Sequence, residues 1–397
     1  VNVSNAGQSI NMKVINTEKL PVKMWLENIE DGALQQAKNL ANLPFAFKHV
    51  AIMPDSHQGY GMPIGGVLAT DQVIIPNAVG VDIGCGMCAV KTSLTEIDTA
   101  TLKKIMGEIR TAVPVGFSHQ KEKQHVDLMP SLDFTEVVGK EFENARGQIG
   151  TLGGGNHFIE IQKGNDGYIW IMIHSGSRNI GLKTAGYYNK VAIELNEKWR
   201  TAVPKEQELA FLPMGEKLAD NYIMDMNYCV QFALANRKLM MDNIMNILLS
   251  ANGVPFLSFA PMINIAHNYA RMENHFGKNV MVHRKGATLA TVDTIGIVPG
   301  SQGTRSYIVK GKGNAESFNS CSHGAGRKMG RRQATRELNL EEEQKKLADI
   351  GVIHGIRNIQ DLDEAPGAYK PIEEVMANQK DLVDIQVSLT PLAVIKG

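Results

Sequence analysis

From Glu216 to Ser250 the chain runs without a glycine or a proline, through a segment rich in Met, Leu and Ala. A run of that length with apolar residues at helical spacing reads as one long helix or two in series. Its methionines read as core packing rather than a binding stripe. The flanking regions have the opposite character. Residues 45–94 are short β-rich runs punctuated by glycine: HVAIMPD, GGVLATDQVIIP and AVGVDIGCGMCAV. HFIEIQ and YIWIMIHS read as paired strands joined by the turn KGNDG. After Pro255 the β character returns in VMVHRKGATLATV, TIGIVPGS and SYIVKG, and DIQVSLTPLAVIKG closes the chain as a strand. Amphipathic helices are expected over 97–112 and 133–146, around the polar loop GFSHQKEKQHVD. A basic helix is expected over 324–336 and a mixed-charge helix from about Leu340. Strands at both ends with helices between them imply an α+β fold of mixed sheets with flanking helices. No linker divides the chain, so a single large domain is expected.

Composition bounds the function classes. With 397 residues, 43% of them hydrophobic, the chain can bury a substantial core. Lys plus Arg equals Asp plus Glu at 41 each, so any basic surface for a nucleic acid must be local. Four cysteines are too few for a disulfide framework and fit a reducing compartment. No run of about 18 apolar residues occurs, so a soluble, cytoplasmic protein with no membrane partner is expected. The opening VNVSNAGQSIN is polar and patternless. Residues 1–11 are read as an N-terminal tail or an expression remnant without function, with Met12 as the natural start.

The familiar phosphate and metal motifs fail. GSRNIGLKT looks like a P-loop until Leu182 displaces the lysine by one place. KGNDG has one residue too many for a nucleotidyl-lysine motif and serves better as a hairpin turn. No GxSxG elbow and no HExxH helix are present. Cys85 and Cys88 make a CxxC pair without the second pair a structural zinc site needs, so Cys88 reads as a small buried residue.

One constellation survives. VGVDIGCGM (Asp82, Cys85), GGGNHFIEI (Asn156, His157, Glu160), IMIHSGSR (His174, Arg178) and SCSHGAGR (His323, Arg327) share a pattern. Each sets metal-competent side chains among glycines at the end of an apolar run, where a scaffold presents chemistry. NIAHNYA adds His267, expected in a helical segment. In a regular strand Asp82 and Cys85 would face opposite sides, so sharing a metal requires a turn at Gly84. Carboxylate, thiolate and imidazole together make a transition-metal site, and ligand softness points to zinc. His323 precedes a helix expected to begin near Ala325, where an anion would be favoured and an imidazole could attack phosphorus. From the residues alone, nucleophile and further metal ligand both remain open for it. Arg327, Lys328, Arg331, Arg332 and Arg336 form a basic patch beside it, suited to a phosphate backbone or to solvent. PGSQGTRS has the composition of an anion nest.

At these residues the sequence resembles the RtcB-type tRNA-splicing ligases. The shared segments run in order from about residue 20 to Gly397: PDSHQGYGMPIGG, AVGVDIGCGM, LGGGNHFIEI, HSGSR, HNY, PGSQGTRS, SCSHGAGR and the terminal Ile-Lys-Gly. The resemblance implies that residues 12–397 form an RNA ligase catalytic domain with the RtcB-like α+β fold. Such enzymes join a 2′,3′-cyclic phosphate or 3′-phosphate RNA end to a 5′-hydroxyl end, in tRNA splicing or RNA repair, using GTP and Mn²⁺. It implies that His323 takes the guanylate and hands it to the RNA 3′-phosphate. It implies two Mn²⁺ ions, instead of zinc, on Asp82, Cys85, His157, His174 and His267, with Cys85 bridging. GTP contacts are implied for Asn156, His157, Phe158, Ile159, Glu160, His267, Asn268, Pro299, Gly300, Ser301, Gln302, Ser306, His323, Gly324, Ala325, Gly326 and Lys396. Arg178, Arg327, Lys328, Arg331 and Arg332 are the candidates for RNA contact, and an archease-type activator is an expected partner. His57 lies in the family's Asp-x-His segment without an assigned role. Ser56 and Gly154 depart from residues common in the family, an apolar side chain and a threonine. The competing readings are a metal-dependent cyclic phosphodiesterase that opens RNA ends without GTP, and a non-catalytic RNA-binding protein.

Overall fold

The computed structural model describes residues 12–251 and 257–397. The tail at 1–11 and Pro255 lie outside the described residues. The glycine-free run forms one uninterrupted helix, Lys217–Ser250. Met226, Met240 and Met241 on it are fully buried, as packing residues should be. The expected helices at 97–112 and 133–146 appear as Thr99–Ala112 and Glu136–Gln148. Asp98 caps the first by accepting from the amides of Ala100 and Thr101, and Thr135 caps the second. The helix Arg178–Trp199 lies between the hairpin and the long helix in sequence.

Two large sheets organise the described residues. The first has six strands in the order Lys13–Ile15, Val22–Met24, Ala46–His57, Ile64–Thr70, Lys278–Lys285, Asn268–His275. The second has seven, in the order Ile263–Ala266, Gly86–Lys91, Ile169–Ser175, Phe158–Gly164, Val383–Lys396, Ser306–Gly311, Ile295–Val298. HFIEIQ and YIWIMIHS pair antiparallel, as their sequence predicts. The chain is therefore α+β with flanking helices. The six-stranded sheet is mixed, through the parallel pair Val22–Met24 and Ala46–His57, while the seven-stranded sheet is antiparallel throughout.

The seven-stranded sheet is covered on both faces. Ile159, Ile161, Ile171 and Ile173 pack with Ile105, Ile109, Met240 and Ile244 of the helices. Each such side chain, fully withdrawn from water, stabilises by roughly 1.5–3 kcal/mol. On the other face Phe158, Met172, Ile308 and Val394 form a second cluster. Alternation along Phe158–Gly164 thus sends Ile159 and Ile161 to the helices and leaves Phe158, Glu160 and Gln162 on the opposite face. Among the described residues no helix is long and apolar enough to cross a membrane.

Two local expectations are overturned. His267 is not helical: it joins Ile263–Ala266 of the seven-stranded sheet to Asn268–His275 of the six-stranded sheet. The basic helix begins at Arg331, not near Ala325. Gly324, Gly326 and Gly330 interrupt the intervening segment, and Gly326 sits at φ +72°, outside helical space. Its backbone lies so close to the carbonyl of Asp55 that a β-carbon there would collide.

Candidate active site

Four strands that are neighbours in the seven-stranded sheet end together, and each delivers one ligand-competent side chain. In sheet order these are His267 after Ile263–Ala266, Cys85 before Gly86–Lys91, His174 within Ile169–Ser175 and His157 before Phe158–Gly164. The registers Ala266↔Gly86, Gly86↔Ser175 and Phe158↔His174 place these ends side by side. Cys85 Sγ lies 3.2 Å from His174 Nε2 and 3.5 Å from His157 Nε2. The ligand atoms of these three residues all fall within 4.8 Å of one another. Asp82 Oδ2 is 3.3 Å from His157 Nε2. The turn that returns Asp82 to Cys85 has Gly84 at φ +74°, with the amide of Cys85 donating to the carbonyl of Asp82 at 3.1 Å. A side chain at Gly84 would also strike the backbone of Val230 on the long helix.

The cluster fits a metal ion. His157 Nδ1 donates to the carbonyl of Leu152 at 3.0 Å and His174 Nδ1 to that of Asn156 at 3.2 Å. These bonds set both tautomers and leave both Nε2 lone pairs for a metal. His267 has a buried Nδ1 with no partner in the protein. Burial, with the neighbouring histidines, holds His174 and His267 well below the usual imidazole range, in the neutral form a metal needs. Burial and Asp82 push the Cys85 thiol up. Burial raises Asp82, but hydrogen bonds and charge from His157 outweigh it and hold the carboxyl below the ordinary range.

His323 adjoins this cluster, its ring centroid 4.7 Å from that of His267. Its Nδ1 donates to Asp55 Oδ2 at 2.6 Å, a tautomer in which the neutral ring presents its lone pair at Nε2. The same oxygen accepts from the amides of His323, at 3.1 Å, and Gly324, at 3.3 Å. Asp55 is fully buried. Burial raises its carboxyl, yet the adjacent His323 brings it below the ordinary range. The helix start expected here to favour an anion is absent, and it is the carboxylate of Asp55 that orients the His323 ring.

A cavity of about 430 Å³ opens over these groups. Asp82, Cys85, His174, His267 and His323 line it, with Asn156, Phe158, Glu160, Asn268, Pro299, Gly300, Ser301, Gln302, Gly324, Ala325, Gly326 and Lys396. Three of the expected nucleotide contacts do not line it: His157, which stays within the ligand cluster, Ile159 and Ser306. Ile159 faces the helices, and the hydroxyl of Ser306 is engaged by the amide of Gly300 and by Gln162. Of the expected RNA contacts, Arg327 and Arg331 reach the cavity, and Lys328 and Arg332 are exposed beyond it. Arg178 is committed inside the protein, to Gly116 O at 2.9 Å and Thr151 Oγ1 at 3.1 Å. Cys88 is a buried residue away from the ligands, as its sequence context implied.

The match to known proteins covers nearly the whole chain. The family described as "tRNA-splicing ligase RtcB" matches over residues 36–133 and 126–397. The RNA-splicing ligase RtcB of Escherichia coli K12 is 38% identical across 98% of this chain and 100% of its own length. The tRNA-splicing ligases RtcB of Nanoarchaeum equitans and Pyrobaculum aerophilum are 31% and 30% identical. They cover 98% and 96% of this chain, and 96% and 95% of their own lengths. The chain belongs to the RtcB family.

Several residues at the site had no signal in the ligand pattern. Asp55, behind His323 rather than in the cavity lining, ends the apolar run HVAIMPD and opens the Asp-x-His segment, where no role was read for it. Glu364 and Tyr369 lie in DLDEAPGAY, with nothing local to mark them. Glu364 is buried, accepts from Arg327 at 3.1 Å, Lys396 at 3.1 Å and Tyr369, and so gathers one wall of the cavity. Lys285 is a buried cavity lysine whose Nζ meets the carbonyls of Tyr60 at 2.6 Å and Asn77 at 3.0 Å. Burial brings its ammonium down to about 7. Burial likewise lifts Glu160 to about 8, against Gln162 and Lys396, which favour its ionised form.

Proposed function

We propose that this RNA ligase seals RNA ends through a guanylate carried on His323. GTP is the donor, and Asp82, Cys85, His157, His174 and His267 would hold two Mn²⁺ ions. Membership of a family of RNA-splicing ligases makes tRNA splicing or RNA repair its setting. The observation that carries the proposal is the 2.6 Å contact of His323 Nδ1 with buried Asp55, beside a cluster of ligands with free lone pairs. The catalytic unit spans residues 12–397, and an archease-type activator is its expected partner.

His323 Nε2 attacks the α-phosphorus of GTP. An N–P bond forms and the P–O bond to pyrophosphate breaks. Asp55 balances the positive charge that the imidazole then carries. A 2′,3′-cyclic phosphate end is first opened by water to a 3′-phosphate. An oxygen of that phosphate takes the guanylate, breaking the N–P bond and restoring His323. The 5′-hydroxyl oxygen then attacks the RNA 3′-phosphorus, gives up its proton, and GMP leaves. Bound divalent metal supplies charge neutralisation at the phosphoryl oxygens and activates a coordinated oxygen nucleophile. The Cys/His donors alone would suit zinc, while the Asp82 oxygen is the hard ligand that manganese favours. Glu160 and Lys396 serve the nucleotide at one wall of the cavity. Arg327 and Arg331 at its rim, with Lys328 and Arg332 beyond, serve RNA phosphates.

Incubation with α-labelled GTP and Mn²⁺ is expected to leave an acid-labile, alkali-stable label on the protein, and His323→Ala to leave none. Equal labelling of the variant would refute the nucleophile assignment. Loss of cyclic phosphate without joined product, independent of GTP, would replace this reading with a phosphodiesterase.

A further inference from the structure

The long helix Lys217–Ser250 carries a polar pair that its role as a core element does not require. Asn236 and Arg237 are both fully buried in a segment otherwise packed with Phe232, Ala233, Met240 and Met241. Burying an amide and a guanidinium is costly unless each polar atom is matched. Their partners are backbone or side-chain groups of the loops and strands that carry the metal-competent residues.

Asn236 Oδ1 accepts from the amide of Gly150 at 2.7 Å and from that of Thr151 at 3.1 Å. Its Nδ2 reaches Thr151 O at 3.1 Å, Ser175 Oγ at 3.2 Å and Gly176 O at 3.2 Å. Arg237 Nη1 donates to Gly84 O at 3.0 Å and Ser175 O at 2.8 Å, and its Nε donates to Asn264 Oδ1 at 2.8 Å. Each contact falls beside a ligand in sequence or in its loop. Gly84 precedes Cys85 and Ser175 follows His174. Thr151 precedes Leu152, whose carbonyl orients His157, and Asn264 lies on the strand that leads to His267. One dipeptide therefore bonds directly beside Cys85 and His174, to the strand that leads to His267, and to the segment just before Leu152, whose carbonyl orients His157. No carboxylate of the described residues forms an ion pair with Arg237, and its Nη2 has no partner. A guanidinium selected for stability alone would be expected to have an anionic partner. Here its hydrogen bonds go instead to the turn of Asp82 and Cys85 and to the strand of His174.

We infer that Asn236 and Arg237 are positioning residues of the ligase, which hold the loops of Cys85, His157, His174 and His267 in metal-binding register from behind the site. They touch neither substrate nor metal. Arg237 can bridge two carbonyls and an amide oxygen because its donors form a planar fork, and a lysine ammonium at that depth cannot. The inference rests on the metal-dependent reading above.

The test is Mn²⁺ titration of the purified full chain, followed by the paramagnetic resonance of free Mn²⁺, with a thermal melt of each metal-free variant. Arg237→Lys and Asn236→Ala are expected to weaken Mn²⁺ binding by about tenfold or more, the usual effect of losing a group that orients metal ligands. Ile244→Ala, on the same helix and in the apolar cluster, removes no hydrogen bond to these loops and is the control for lost stability. It is expected to lower the melting temperature at least as much while binding Mn²⁺ like wild type. If Asn236→Ala does not fold, Arg237→Lys decides alone. Wild-type affinity in Arg237→Lys, or an equal loss of affinity in Ile244→Ala, overturns the inference. If the wild-type chain binds no Mn²⁺, the metal assignment itself falls, which is a separate result.

Discussion

Asp55→Asn is the sharpest perturbation of the proposed chemistry. The substitution keeps the volume and removes the charge. Asp55 Oδ2 accepts three hydrogen bonds, from His323 Nδ1 at 2.6 Å and from the amides of His323 and Gly324. An asparagine has one oxygen that can replace it. If that oxygen stays with the two backbone amides, its NH₂ faces His323 Nδ1 and drives the imidazole proton to Nε2, the atom that must attack. A hydrogen bond to a charged group is worth about 1.5–3 kcal/mol, which is a factor of roughly 10–150 in rate. Trapping the wrong tautomer has cost about 10⁴ in a serine-protease triad. Single-turnover guanylylation by Asp55→Asn should therefore fall by about 10² to 10⁴. The assay is rapid-quench transfer from α-labelled GTP at saturating Mn²⁺, with a melt to show that the variant folds. A rate within about threefold of wild type would refute the role given to Asp55. The pH dependence carries the same sign. Because the folded carboxyl lies below the ordinary range, its contribution is complete above the unfolded value near pH 4 and is lost as pH falls through the folded one.

Two further outcomes follow from buried charge. Glu273 sits against Arg284, at 3.0 Å from Nη2, and against His275 at 2.9 Å. Burial raises its carboxyl, but these partners hold it far below the ordinary range. Glu273→Gln strands the guanidinium and should destabilise by about 3–5 kcal/mol in denaturant unfolding. The wild-type contribution should hold above about pH 4 and fade only in stronger acid, and an unchanged midpoint for the variant would exclude it. Glu160, lifted to about 8 by burial, should be mostly protonated at neutral pH in the nucleotide-free protein. If its carboxylate receives the guanine N–H groups, GTP affinity should improve as pH rises towards about 8, and Glu160→Gln should flatten that dependence. Equal pH profiles by calorimetric titration would dissociate Glu160 from the nucleotide.

Nothing in the structure explains the serine at 56 or the glycine at 154. The hydroxyl of Ser56 is buried without a partner. A β-carbon on Gly154 would meet only ordinary contact, with Gly116.

Periodicity and turn chemistry are local, and what they encode was legible in the chain. The long helix, the hairpin across KGNDG, the turn at Gly84 and the glycine-set ligands could all be read from neighbouring residues. Alternation along HFIEIQ even determines that Glu160 and Ile159 face opposite sides. Which strands become neighbours is not local. His267 joins the ligand cluster because Ile263–Ala266 pairs with Gly86–Lys91, and the chain crosses between sheets at that residue. Asp55 supports His323 across 268 positions of sequence. A segment's own pattern reports which face it buries but not what will cover that face. The helix expected at His323 failed because its glycines favour non-helical backbone, and the carboxylate that orients the imidazole came from another sheet. The ligand types were determined by the sequence, while their convergence, the tautomer of His323 and the polar pair behind them were decided only by tertiary pairing.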